Sequence, residues 1–250
     1  MVRWLLALCL LCLGATGCSA TEQQTLTVFA GSSLQEPFEA LAERLETANP
    51  GVEVRFHFAG SATLVEQLRQ GARADVLAAA DEATMARAAE EDLLTATPHV
   101  FATNSLVIAV APGNPRGIRG FSDLTRDDLK VVVCAPIVPC GAATARVEQR
   151  AGVGLRPASE ELSVTDVLTK VDTGQADAGV VYVSDLGRAE GRVAGVPIPA
   201  AVNATNAYPI ATTSESPLAA SFVALVEGSV GAEVLQRSGF GSPAPGGQDR

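Results

Sequence analysis

The sequence is poor in charge and in aromatic rings: 18% of its 250 residues are Asp, Glu, Lys or Arg, and 4% are Phe, Trp or Tyr. With 47% hydrophobic residues it is too apolar for a disordered polymer, and it is long enough for one large or two small domains. Basic residues are the scarcer sign, 18 against 28 acidic ones, and no Lys/Arg run or basic helical face occurs, which argues against a nucleic-acid partner. There are two histidines, not in an HxxxH arrangement, and five cysteines whose one CxxC, Cys9 to Cys12, lies inside an apolar amino-terminal stretch, so material for a cation site is lacking. Also missing are a GxSxG elbow, a GxxxxGK[ST] loop and a GxGxxG loop, the usual marks of serine hydrolases and nucleotide sites. His57, alternating between Phe56 and Phe58, reads as a strand residue, and no motif surrounds His99. Nothing here calls for a cofactor or supports an enzyme.

Arg3 precedes an apolar stretch over residues 4–15, short for a membrane span but of the length of a signal-peptide core. It runs into Ala15-Thr16-Gly17-Cys18, which resembles the lipobox at which bacterial lipoprotein precursors are acylated and cut before the cysteine. The expectation is a signal peptide at residues 1–17, lipid on Cys18, a tether over residues 18–24 and attachment to the outer face of the cytoplasmic membrane. Removal of Arg3 leaves 17 basic against 28 acidic side chains, a net charge of −11. Cys9 and Cys12 leave with the signal and Cys18 carries lipid, so Cys134 and Cys140 remain as one pair in an oxidising compartment, where a disulfide is predicted. Closing that short loop, which holds Pro136 and Pro139, is worth about 2 kcal/mol in the chain-entropy model.

Beyond the tether the pattern alternates strand and helix. Residues 25–30 (TLTVFA) read as a strand, and Leu34, Phe38, Leu41, Ala42 and Leu45 recur at helical spacing. Residues 52–58 form a second strand before a helix carrying Leu64, Val65 and Leu68, and residues 75–80 form a third, with Asp81 placed to cap the next helix. Later strands are predicted at 106–111, 130–134, 179–183, 193–198 and 208–212. Later helices are predicted from Ser122 and at 141–150, 165–173, 216–228 and 231–238. The tail from Gly241 is expected to be disordered. Such alternation implies an α/β, doubly wound architecture, in one sheet or in two lobes, with ligands at the strand ends.

A small hydroxyl residue or glycine recurs at the strand-to-helix junctions: Gly31-Ser32-Ser33, Gly60-Ser61-Ala62-Thr63, Cys140-Gly141 and Ser163-Val164-Thr165. Each junction can offer free N–H groups, and the serines and threonines hydroxyls, at the positive end of a helix dipole, a set suited to an oxyanion. Ser33 with Glu36 also spells a capping box, which would be purely structural.

VFAGSSL at 28–34, FAGSATLVEQLRQGARADVLAAAD at 58–81, NSLVIAVAP at 104–112, VPCG at 138–141, the helix start at Asp166-Val167 and GVVYVSD at 179–185, taken in order, resemble the periplasmic molybdate-binding proteins of molybdate ABC importers. The resemblance covers residues 25–240. It implies a type II periplasmic-binding-protein fold in which two crossing strands, near 104–109 and 207–211, join lobe 1 (residues 25–105 and 208–240) to lobe 2 (residues 106–207). It also implies a monomer that hands molybdate or tungstate to a permease. The ligand positions it implies are the hydroxyls of Ser33 and Ser61, with Ser32 as the register alternative to Ser33, the backbone N–H groups of Cys140 and Val167, and the Tyr182 hydroxyl. The family usually carries a small residue without sulfur where Cys140 stands, but a backbone contact does not depend on the side chain.

Molybdate and tungstate are dianions without a proton to donate, so their pocket needs only donors, and none of the five positions is charged. Hydrogen phosphate would profit from a carboxylate that accepts its proton, and none occurs among them. Sulfate or an organic acid on the same fold is the alternative ligand class; an organic acid would ask for an Arg clamp, for which Arg146 is the candidate. A serine-dependent hydrolase or transferase would need a base within reach of Ser33 or Ser61.

Overall fold

The computed structural model describes residues 23–243. The signal peptide, Cys9, Cys12 and Cys18 therefore lie outside the described residues, as do residues 244–250.

Three strand–helix units open the chain: β1 (Gln24–Gly31) with α1 (Gln35–Ala48), β2 (Val52–Ala59) with α2 (Ser61–Arg69), and β3 (Val76–Ala78) with α3 (Glu82–Glu90). The long strand β4 (His99–Val110) follows. A second series comprises β5 (Val131–Cys134), α4 (Pro139–Ala151), β6 (Ser159–Glu161), α5 (Val164–Asp172), β7 (Ala178–Tyr182), α6 (Val183–Arg188) and β8 (Ala194–Pro197). β9 (Thr205–Thr212) returns, and α7 (Pro217–Glu227) and α8 (Ser229–Arg237) complete the described helices.

The strands form one curled sheet in the order β2-β1-β3-β9-β4-β7-β5-β6, with β8 also pairing β4. β1 is parallel to β2 and β3, and β5 is parallel to β6 and β7, as helical crossovers require. The expectation of a parallel, doubly wound arrangement therefore holds within each half. β4 and β9 depart from it: β9 runs antiparallel to β3 and β4, and β4 runs antiparallel to β7 and β8. Residues 99–105 of β4 pair with β9, whereas residues 106–110 pair with β7 and β8, so one strand serves both halves.

The few aromatic rings are concentrated in the first half, where Phe38 of α1 meets Phe222 of α7 edge-on at 5.4 Å and Phe101 of β4 at 5.9 Å. In the second half, Val107, Val132, Val167, Val171 and Val180 fill the space between sheet and helices. Burial of this kind, at about 25 cal/mol per Å² of apolar surface, is the main force holding each half together.

Several local expectations are corrected. β4 begins seven residues before the predicted strand. The strand predicted at 179–183 ends at Tyr182, where Val183 continues the apolar run but opens α6, a helix with no predicted counterpart. β6 (SEE) is too polar and short to show alternation. The predicted cap Ser122 lies inside a 3₁₀ turn, Phe121–Thr125, whose N-cap is Gly120. Gly241, expected in a disordered tail, forms a β-bridge with Thr103, its N–H and C=O both bonded at 2.8 Å. Asp81 caps α3 as predicted, accepting from the Thr84 N–H at 2.8 Å.

Candidate oxyanion site

The carboxyl ends of β1, β2, β3, β5, β6 and β7 converge on a small cavity. Its wall is made by residues 31–33, 59–61 and Ala80 from the first half, and by residues 138–140, 162–164 and Tyr182 from the second. The cavity measures about 20 Å³, above the roughly 10–15 Å³ that one water needs and suited to a single small ion. No charged side chain lines it. A wider space of about 350 Å³ adjoins it, sharing Ser32, Gly60 and Ser163. Among the described residues no group of three or more His, Cys, Asp or Glu could hold a cation.

The hydroxyls of Ser33, Ser61 and Tyr182 on this wall are already engaged by protein groups. Ser61 Oγ accepts from the Ala80 N–H at 3.0 Å, which leaves the Ser61 proton free to donate. Ser33 Oγ lies 3.0 Å from Tyr208 Oη. The capping box suggested by Ser33 and Glu36 does not form: Ser33 sits inside a 3₁₀ turn (Ser32–Leu34), and the N-cap of α1 is Leu34. Ser32 also reaches the wall, and its carbonyl accepts from Arg188 Nη1 at 2.8 Å. Tyr182 Oη accepts from the Asn206 amide at 2.8 Å. Burial, then the neighbouring Tyr208, Asp81 and Asp185, push the Tyr182 pKa well above the usual phenol value, so it keeps its proton.

Helix starts supply the second kind of donor. In α4 the first residue is Pro139, which has no N–H, so the first-turn donors begin at Cys140 on the cavity wall. A disulfide joins Cys140 to Cys134 at the end of β5. In α5 the cap is Ser163, whose Oγ accepts from the Asp166 N–H at 3.2 Å. That places Val164 first in the helix and on the wall.

Val167 does not line the cavity. It is fully buried, packs toward Gly179, and its N–H is directed at Ser163 O at 3.4 Å within the helix. The helix was expected to start at Thr165. With Ser163 as the cap it starts one residue earlier, and its unpaired first-turn donors begin at Val164. The Ser163-x-x-Asp166 pattern carried that signal in the sequence. Arg146 is not on the wall either; its guanidinium donates to Asn206 Oδ1.

Contacts across the cavity hold its walls together. Arg188 of α6 reaches Ser32 O and, at 3.2 Å, Thr165 Oγ1. Behind it the fully buried Asp185 accepts from the Tyr182 N–H at 2.9 Å and lies 3.6 Å from Arg188. Burial raises the Asp185 pKa to about 6 against the opposing pull of Arg188 and that N–H. Gly60 presses so closely on the opposite wall that a Cβ at its position would lie 2.0 Å from Leu162 O.

The bacterial extracellular solute-binding protein family matches residues 26–241. Molybdate-binding protein ModA of Mycobacterium tuberculosis (strain H37Rv) is 52% identical over 223 residues, covering 88% of this chain and 85% of that protein. ModA of Escherichia coli (strain K12) is 26% identical over 239 residues, covering 90% and 91% respectively. Among solved structures, the periplasmic molybdate-binding protein of Azotobacter vinelandii matches with a TM-score of 0.74 at 19% identity, over 87% of this chain and 99% of that one. That last likeness is one of fold. The family model spans most of the chain and the Mycobacterium relative is 52% identical over most of it, and the chain belongs to the bacterial extracellular solute-binding protein family.

Proposed function

We propose that the protein captures molybdate, and with it tungstate, in the strand-end cavity and delivers it to an ABC permease. Members of this family bind a solute without turning it over. The observation that carries the reading is the donor set: hydroxyls already engaged by protein groups, and helix starts, converge on a cavity with no charged side chain. The 52% identity to a molybdate-binding protein supports the choice among oxyanions. The ligand contacts in this reading are the hydroxyls of Ser33, Ser61 and Tyr182 and the N–H groups of Cys140 and Val164. Residues 25–105 with 208–240 form one lobe and residues 106–207 the other, hinged where β4 and β9 cross. Lipid on Cys18 holds the protein at the outer face of the membrane.

Calorimetric titration with molybdate, tungstate, sulfate and phosphate tests the ligand. Binding of the first two in preference to the others is expected; no response to any oxyanion refutes the reading. Metabolic labelling with a fatty acid, lost in Cys18→Ser, tests the anchor.

A further inference from the structure

We propose that Asn206, held by Arg146, is a positioning residue that ties the two cavity walls together and turns the Tyr182 proton toward the ligand, so that the site selects oxyanions carrying no proton. The inference rests on the oxyanion reading above.

Asn206 lies on β9 opposite Asn104, where the two long strands cross, and is 2% exposed. Its amide nitrogen donates to Tyr182 Oη at 2.8 Å, to Ala80 O at 2.9 Å and, more weakly, to Pro139 O at 3.3 Å. Its oxygen accepts from Arg146. The amide has one chemically sensible orientation, because carbonyls only accept and a guanidinium only donates. A flipped Asn206 would set its oxygen against two carbonyls and its NH₂ against Arg146.

Two consequences follow from that fixed orientation. Ala80 receives the Asn206 amide at its carbonyl and gives its own N–H to Ser61, so a continuous chain of hydrogen bonds joins Ser61 on one wall to Tyr182 on the other. Asn206 can also only donate to Tyr182, so the phenol oxygen is occupied as an acceptor and its proton points elsewhere. The cavity and the adjacent Tyr208 oxygen are its destinations, and a bound anion is the stronger acceptor. No carboxylate among the described residues pairs with Arg146, whose positive charge stands one amide away from the phenol. A ligand oxygen that carries a proton needs an acceptor, and this arrangement already fills one acceptor position on each of Tyr182 and Ser61 while leaving their protons to be donated, which favours a ligand that only accepts.

Asn206→Asp tests the idea, because the carboxylate still pairs with Arg146 but accepts where the amide donated. Tyr182 then donates to residue 206 and loses its proton for the ligand. Molybdate affinity should fall about 100-fold, and the preference for molybdate over hydrogen phosphate at pH 8 about 10-fold or more. The same substitution made in Tyr182→Phe should cost less than a third of that, since the proton it redirects is already gone. Arg146→Gln, at a half-buried position, gives a second route if Asn206→Asp does not fold: it should cost several-fold in affinity, again mostly abolished in Tyr182→Phe. Wild-type binding of molybdate together with fully additive costs would overturn the inference. So would an unchanged phosphate preference in folded Asn206→Asp. Failure of the wild type to bind any oxyanion would instead overturn the proposed function.

Discussion

Gly60→Ala would separate closure of the cavity from folding of its walls. Gly60 has φ −61° and ψ 133°, which any residue adopts, so the added methyl brings no backbone strain. Replacing Gly by Ala at such a position tends to stabilise by about 0.4–1 kcal/mol through the unfolded chain. The methyl would, however, meet Leu162 O at 2.0 Å and Leu162 C at 3.2 Å. Real Cβ atoms keep at least 3.0 Å from such neighbours, so the second wall must retreat by 1 Å or more. A hydrogen bond of about 2.9 Å stretched by that amount is no longer one. A ligand seated on Ser33 and Ser61 would then lose its contacts with Cys140, Val164 and Tyr182, each worth about 1.5–3 kcal/mol to a charged partner. Partial relaxation of the loop before α5 recovers some of this. The expected net loss is at least about 100-fold in molybdate affinity, or about 2.8 kcal/mol. Calorimetry measures the affinity, and thermal melting without ligand checks that the fold is intact. The rise in Tm on adding molybdate should shrink accordingly. A Gly60→Ala protein that melts like wild type and binds within threefold of it would refute the closure argument.

Ser61→Ala should cost about 10- to 100-fold in molybdate affinity and a further 1–3 kcal/mol of stability, because it strands the buried Ala80 N–H. Tyr182→Phe should lose similar affinity with less effect on stability, since the Asn206 amide retains two carbonyls; calorimetry and urea unfolding separate the two cases. Replacing both Cys134 and Cys140 by Ala should lower stability by about 2 kcal/mol while leaving the backbone donor at position 140, so affinity should change less than tenfold. Asp185 has its folded pKa raised from 3.8 to about 6, so its stabilising effect is present below pH 4 and lost as pH rises through 6. Asp185→Asn should therefore gain on wild type by about 3 kcal/mol between pH 4 and pH 7.5, and unfolding curves that stay parallel across that range would contradict the assignment.

Local patterns carried most of what the sequence reveals. The runs at β5 and β7 are apolar, β1 and β2 alternate apolar with polar residues, and the helices between strands keep a helical period, so their types are legible. The same local logic marked the junctions at Ser33, Ser61, Cys140 and Ser163, because a strand followed by a small residue and a helix is contiguous in sequence. Val167 came from the resemblance and not from a local pattern; the structure places it three residues into the helix beyond Val164, the residue on the cavity wall. The long-range partners were not legible. Ser33 and Tyr208 are 175 residues apart, Ser32 and Arg188 are 156 apart, and Ala80 and Asn206 are 126 apart. Asn206 stands among Thr205, Ala207 and Tyr208 with nothing in the sequence to mark it as buried, and without the sheet order nothing says which groups it meets.

The absence of formal charge from the cavity has a consequence for release as well as for selectivity. An acidic protein, net −10, repels an incoming dianion only within about 8 Å at physiological salt, whereas N–H and O–H dipoles act at contact. An arginine on one wall would overcome that repulsion too, but it would hold the anion equally well with the cavity open. Here the donors are divided between the walls, with Ser33 and Ser61 on one side and Cys140, Val164 and Tyr182 on the other. Affinity then belongs to the closed arrangement, and a ligand shifts closure only by the difference in its binding to the two states. Separating the walls by about 1 Å breaks the second set of hydrogen bonds and leaves two neutral hydroxyls and the nearby helix dipoles to retain a hydrated dianion. On the proposed reading, tight binding is expected only while the walls are together, and a change that pries apart the Gly60–Leu162 contact is expected to release the ligand.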